Sequence, residues 1–253
     1  MNSLDFDRYI RRTLDLDAFQ SADSSLNGLQ VDNSGAPLSK VAFAVDACLE
    51  TFDRAHACGA QLLFVHHGLF WGRPQAIQGP IRERLARLFS HDLALYAVHL
   101  PLDQHPVLGN NAGLASLLKM TELHAFGLYH GKKIGYKGIF NEPISTEEAA
   151  QRISIKGRQE LAVWPFGPAK NSSCGVISGG AAMDLSQAID EHLDLYITGE
   201  VTHEIYHLAR EARINVVCGG HYATEVHGVR SVMAAVAADT GLETEFIDAP
   251  TSL

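Results

Sequence analysis

Two rhythms of apolar residues alternate along this chain. Short continuous apolar runs, VAFAVD (41–46), QLLFVHH (61–67) and LALYAVH (93–99), read as strands buried on both faces. Between them lie stretches with apolar residues every three to four positions. Residues 4–19 predict a first helix with Leu4, Tyr9, Leu14 and Phe19 among its apolar positions, and Asn27-Gly28 opens a loop to Pro37. A helix over 47–58 carries Leu49, Phe52 and Ala55 on one side, with Asp46 as its expected cap and Gly59 as its stop. Pro80 precedes a helix over 81–91, and GNNAGLASLLKM predicts another.

Near residue 125 the texture changes. FGLYHGKKIGYKGIFNEP is glycine-rich and carries Lys132, Lys133 and Lys137; Thr146 then starts a helix. ELAVWPF, SSCGVIS, DLYITGE, INVVCGG and TEFIDAP read as strands. They are separated by helices from Asp184 (a capping box with Gln187) to Leu193, over VTHEIYHLAREAR, and over TEVHGVRSVMAAVAADTG. The segments 41–68 and 176–200 share one layout of strand, turn, helix and strand, as any two βαβ units do and as a duplication would leave. The expected fold is α/β: two similar interlinked units with largely parallel sheets flanked by helices. One domain takes 1–125 with about 215–253, the second about 126–214.

Composition narrows the function. The net charge of −9 argues against nucleic acid as a main partner; a ring with Lys132, Lys133 and Lys137 around a central hole is the one way back to it. No apolar run is long enough for a membrane span. The N-terminal stretch is acidic and amphipathic and lacks the apolar core of a signal peptide, so a cytoplasmic protein is expected. Four cysteines without CxxC spacing predict free thiols, with Cys218 buried.

The chemistry gathers where α/β sheets place ligands, beyond the carboxyl ends of strands. There the sequence puts His66 and His67, then His99 with Asp103 in HLPLD, then His221 with Glu225 in GGHYATE. Any one set alone reads as turn or cap residues; three strands converging on histidines and carboxylates is not required for folding. Adjacent residues of a strand point to opposite faces, so one ion would not easily take both His66 and His67, whereas two ions could take one each with a carboxylate between them. Such a pair, about 3.5–4 Å apart, clamps the attacking and leaving oxygens of a hydrolysis. Zinc, iron, manganese and nickel all suit nitrogen and oxygen ligands.

The motifs NGLQV (27–31), VHHGLFW (65–71), HLPLD with GNNAGLA (99–115), ITGE (197–200) and GGHYATE with GVR (219–230) occur in the order found in a known family. The chain resembles the dinuclear-metal-centre hexamer proteins, related to the Ngg-interacting-factor-three group and often labelled GTP cyclohydrolase I type 2 homologues. The resemblance spans nearly the whole chain and is weakest over about 125–175. It implies that His67, Asp103 and Glu225 hold one divalent ion and His66, His221 and Glu225 a second, and that the chain forms a toroidal homohexamer.

His99, Glu200 and His203 are the candidates for acid–base or orienting roles. Asn27, Gln30, Phe70 and Trp71 are candidates to line a pocket, although an NG turn and core aromatics explain them as well. The SGGAAMD stretch could cradle a phosphate with backbone N–H groups, although it lacks a P-loop lysine. The expected function is a metal-dependent hydrolase acting on a small, nucleotide-like or phosphoester substrate. The alternative is a non-catalytic, metal-dependent regulatory or ligand-binding ring.

Overall fold

The structure is a computed structural model in which residues 1–154 and 162–251 are described. In chain order the strands and α-helices are α1 (Ser3–Leu14), β1 (Gly28–Val31), β2 (Lys40–Asp46), α2 (Leu49–Ala57), β3 (Leu62–His67), α3 (Pro80–Ser90), β4 (Ala94–Ala97), α4 (Leu100–Gln104), α5 (Asn110–Leu118), β5 (Thr121–Tyr129), β6 (Lys132–Ile144) and α6 (Thr146–Ile153). There follow β7 (Ala162–Trp164), β8 (Asn171–Ile177), α7 (Leu185–Asp190), β9 (Leu195–Thr198), α8 (His203–Ala212), β10 (Asn215–Cys218), α9 (His221–Thr240) and β11 (Glu243–Phe246). The strand read from ELAVWPF starts at Glu160 and Leu161, which lie outside the described residues.

Two compact units emerge. One comprises Met1–Leu102 and Gly228–Ala249, and the main segment of the other is Asp103–His227. These divisions fall at 102/103 and 227/228, where the sequence suggested about 125 and 215. Asp103, His221 and Glu225 therefore belong to the second unit.

The first unit holds one sheet in the order β1-β4-β3-β2-β11. β2, β3, β4 and β11 run parallel, and β1 pairs antiparallel with β4 at the edge. Both faces are buried, which is why its strands read as unbroken apolar runs. On one face Leu63 and Val65 join Ala42, Ala44, Leu95 and Ala97 in a cluster with Phe52 of α2 and Ile81, Leu85 and Leu88 of α3. On the other, the register sets Phe43, Phe64 and Tyr96 side by side across three strands. Their ring centroids lie 5.3 and 6.0 Å apart, and Phe6 of α1 meets Tyr96 edge-on at 5.4 Å.

The second unit holds the order β5-β6-β8-β9-β10-β7. β8, β9 and β10 are parallel, flanked by the antiparallel hairpin β5–β6 and by antiparallel β7. The two segments noted for their shared layout do form the same unit, a parallel pair joined by a helix: β2–α2–β3 and β8–α7–β9. The β5–β6 hairpin was not read from the sequence. Its turn, His130-Gly131, takes positive φ at both residues, and Gly127 (φ +73°) sits where a Cβ would fall 2.3 Å from Ile177 Cδ1. Glycines that look like loop residues are there for close packing and for the turn. Lys137 of the basic cluster pairs with Glu191. Among the described residues, no helix is long and apolar enough to cross a membrane.

Candidate metal centre

In the first unit, His66 and His67 end β3, and His99 follows β4 by two residues. All three histidines are held the same way. The Nδ1 of His66 donates to the Val98 carbonyl at 2.9 Å, that of His67 to Asp46 Oδ1 at 2.8 Å, and that of His99 to Asp23 Oδ1 at 2.9 Å. A carbonyl or carboxylate oxygen only accepts, so each bond places a proton on Nδ1 and leaves Nε2 as the nitrogen turned away from that acceptor. That is the arrangement in which metal-binding histidines are oriented and made more basic.

Asp46 was expected to cap α2. Cys48 occupies that N-cap position instead, and the Asp46 carboxylate turns to His67. The rings of His66 and His67, adjacent at the end of β3, have centroids 4.6 Å apart and planes tilted by 47°.

Asp23 was missed by the sequence reading. Its side chain is 1% exposed, and it accepts from Ser25 N, Asn27 Nδ2 and Leu100 N as well as from His99. Burial alone would raise its pKa, but the bonds from His99, Asn27 and Ser25 outweigh burial and hold it below the ordinary carboxylate value. Asn27 also accepts from the His99 backbone N–H at 2.7 Å. Gln30 accepts from Leu69 N and donates to the Leu26 carbonyl. NGLQV therefore braces the histidine loops and is more than a turn. Trp71 is 37% exposed, donates to the Gly68 carbonyl, and meets the His99 ring edge-on at 5.0 Å; it is not a core aromatic.

In the second unit, Asp103 is buried. Its Oδ1 accepts from Asn110 Nδ2 and Ser178 Oγ, both at 2.9 Å. Asn111 bridges from the Asp103 carbonyl to the Ser178 N–H. Both asparagines are fully buried, so GNN at the start of α5 is an orienting device for this carboxylate as well as a helix start. α9 begins at His221 and not at Thr224 as read from the sequence. His221 and Glu225 therefore sit one helical turn apart on one face, 3.3 Å between Nε2 and Oε1. Glu200, which follows β9, accepts from His221 Nδ1 at 2.5 Å, in the orienting role the other histidines give to Asp46 and Asp23. His203 is exposed at the start of α8, outside these groups.

The glycines of SGGAAMD also find their reason. Gly179 takes φ +66°, and a Cβ there would lie 2.3 Å from Glu225 Oε1 and 3.3 Å from His221 Nε2. The glycine lets the backbone approach the carboxylate. Gly179→Ala is expected to push Glu225 out of place and strain the backbone by about 1–2 kcal/mol. Divalent-metal titration of that variant should show weakened binding even where its circular dichroism matches the parent.

Burial works against a charged His221, but Glu225 and Glu200 outweigh it and push its pKa from 6.5 up to about 9 in the metal-free chain. A pKa raised on folding favours the folded state fully below 6.5 and loses that contribution as pH rises through about 9. The urea midpoint of metal-free protein should therefore exceed that of His221→Gln most at pH 6, and the gap should narrow towards pH 10.

The donor set suits a borderline divalent cation: imidazoles anchored through Nδ1, and carboxylates held by hydrogen bonds. The five residues read from the sequence are distributed as His66 and His67 in the first unit and Asp103, His221 and Glu225 in the second.

Comparisons with known proteins find relatives over the full length of the chain. A protein from Treponema pallidum (strain Nichols) called "GTP cyclohydrolase 1 type 2 homolog" is 41% identical, with all of each chain covered. One of the same name from Archaeoglobus fulgidus is 40% identical, again over both full lengths. The solved structure of TTHA1606 from Thermus thermophilus superposes with a TM-score of 0.90 at 37% identity, covering both chains completely. Residues 1–252 match the family model described as Duf34/NIF3 (NGG1p interacting factor 3), and the chain belongs to that family.

Proposed function

We propose that the chain is a metal-dependent hydrolase for a nucleotide-like or phosphoester substrate, with two divalent ions (zinc, iron, manganese or nickel) held by His66, His67, Asp103, His221 and Glu225. The observation that carries this reading is the shared anchoring of the histidines, each Nδ1 on an oxygen acceptor at the carboxyl end of a parallel strand. Folding alone does not call for that repetition. The relatives' name, "GTP cyclohydrolase 1 type 2 homolog", points towards nucleotides. When bound, divalent ions polarise a carbonyl or phosphoryl oxygen and stabilise charge developing on it.

The chain's own residues do the positioning. Asp46 and Glu200 anchor His67 and His221 through Nδ1, and Asn110 with Ser178 holds Asp103. Trp71, exposed beside the histidines, offers a flat apolar surface to a planar base. Glu200 is committed to His221, which favours an orienting role for it over proton transfer to substrate.

The homohexamer belongs to this reading as well. Leu123, Leu128 and Tyr129 are exposed on β5, an edge strand, which supports a surface that is covered by assembly. Light scattering should then give six chain masses. The non-catalytic ring shares the same metal ligands and differs in turnover alone.

The test is elemental analysis of the purified chain, followed by a screen of nucleotides and phosphoesters with and without chelator. Two metal equivalents and chelator-sensitive turnover are expected. Two equivalents with no turnover on any substrate would favour the binding ring, and no metal after reconstitution would end the reading.

A further inference from the structure

We propose that the groove between α1 and the end of α9, in the first unit, is a ligand site for a small phosphate monoester. None of its residues is among the five metal ligands, so it is independent of the metal reading. The groove is an open cavity of about 760 Å³, lined by Asp5, Arg8, Tyr9 and Arg12 from α1 and by Asp239 and Thr240 from α9. Pockets for small molecules span roughly 300–1,000 Å³.

Charge on the α1 wall selects the head of the ligand. Arg8 and Arg12 are four residues apart, so their side chains leave the same face of the helix about 5–6 Å apart at Cβ. Two guanidiniums at that spacing close on one phosphate from two sides. Arg12 forms no ion pair among the described residues. Arg8 pairs with Asp5, but across a surface contact in which the two side chains are 72% and 40% exposed. Such a contact is weak and yields to a doubly charged anion. The other carboxylate, Asp239, is engaged by Tyr9, whose hydroxyl donates to its Oδ2 at 2.8 Å across the groove. Burial first, and then that bond, push the Tyr9 pKa up to about 12, so the hydroxyl stays a donor.

The α9 wall selects the rest. It presents the Asp239 carboxylate and the last carbonyls of a long helix, whose C-terminus is its negative end. The Thr240 hydroxyl donates back to the Val236 carbonyl. A wall of acceptors calls for donors on the ligand. A phosphate on the arginine side and hydroxyls on the carboxylate side describe a phosphorylated sugar, free or within a nucleoside monophosphate.

The test is titration calorimetry on the full-length, metal-free chain carrying His67→Ala, so that no phosphate is taken up through a bound ion. The probes are ribose 5-phosphate, AMP, inorganic phosphate and ribose. Ribose 5-phosphate or AMP should bind at one equivalent, more tightly than inorganic phosphate, and ribose should not bind. Arg8→Gln and Arg12→Gln should each weaken binding by about 10-fold or more, and the double variant should abolish it. Asp239→Asn should act in opposite directions, weakening the sugar phosphate while leaving inorganic phosphate equal or tighter. A purely structural role for Asp239 would weaken both.

No binding of either ester overturns the proposal, as does unchanged affinity in a double variant that is folded by circular dichroism. Where the double variant does not fold, Arg12→Gln alone decides, because Arg12 holds no ion pair that folding needs; unchanged affinity there overturns the site. Inorganic phosphate binding as tightly as both esters would mean an adventitious ion only, and would overturn it too.

Discussion

Replacing His67 with Ala, or Glu225 with Gln, should strip the chain of divalent metal while it stays folded by circular dichroism. Glu225→Gln keeps the shape of the side chain and removes its charge, so the variant isolates ligation from packing. Losing an orienting partner of a metal ligand costs about 10–100-fold in affinity, and losing the ligand itself should cost more. Turnover on whichever substrate the screen identifies should fall to background. His207→Ala, exposed on α8, is the matched control and should retain both metal and turnover. Metal content and turnover that survive His67→Ala would remove His67 from the site. Retained metal with lost turnover in Glu225→Gln would mean that this carboxylate acts on substrate rather than on the ions.

Much of this arrangement was legible because it obeys strong local patterns. Val41–Asp46, Leu62–His67 and Ala94–Ala97 are short, unbroken apolar runs, and a parallel sheet buried on both faces needs such runs. The histidines and carboxylates follow those strands, where loops put functional groups. The residues that orient them were not legible. Asp23 reaches His99 across 76 positions, Asp46 reaches His67 across 21, and Ser178 reaches Asp103 across 75. Nothing in the spacing announces such partners, and each has a sufficient local explanation as a turn or cap residue.

The start of α9 at His221 was hidden for a related reason. GGH looks like a strand end running into a turn, so the helical pairing of His221 with Glu225 shows only once Gly220, at φ +90°, has redirected the chain. The hairpin of β5 and β6 was obscured by its glycines, which look like loop residues but admit Ile177 and the Val176 carbonyl where side chains would clash. Sequence patterns report what a residue does for its own element. They are silent about what it does for a distant one.

Phe64→Ala tests the fold that holds the histidines. Phe64 is fully buried in the middle of the cross-strand row, with Phe43 on one side and Tyr96, almost parallel to it, on the other. Truncating it removes the central ring and leaves a cavity that two neighbouring strands, pinned by parallel pairing, can close only in part. The expected loss is about 3–5 kcal/mol. At about 2–4 °C per kcal/mol for a chain of this length, the melting temperature should fall by about 10 °C. Tyr96→Phe gives the contrast: it keeps the ring and removes only the hydroxyl that donates to Asp7, so about 0.5–1.5 kcal/mol is expected. His66 follows Phe64 by two residues on the same face of β3. If the row of rings is the platform for the histidine loop, metal affinity measured well below the melting point should drop in Phe64→Ala and hold in Tyr96→Phe. An affinity equal to the parent's in both would mean that the backbone bond from His66 to Val98 and the Asp46 and Asp23 contacts position the site without help from the core beneath it.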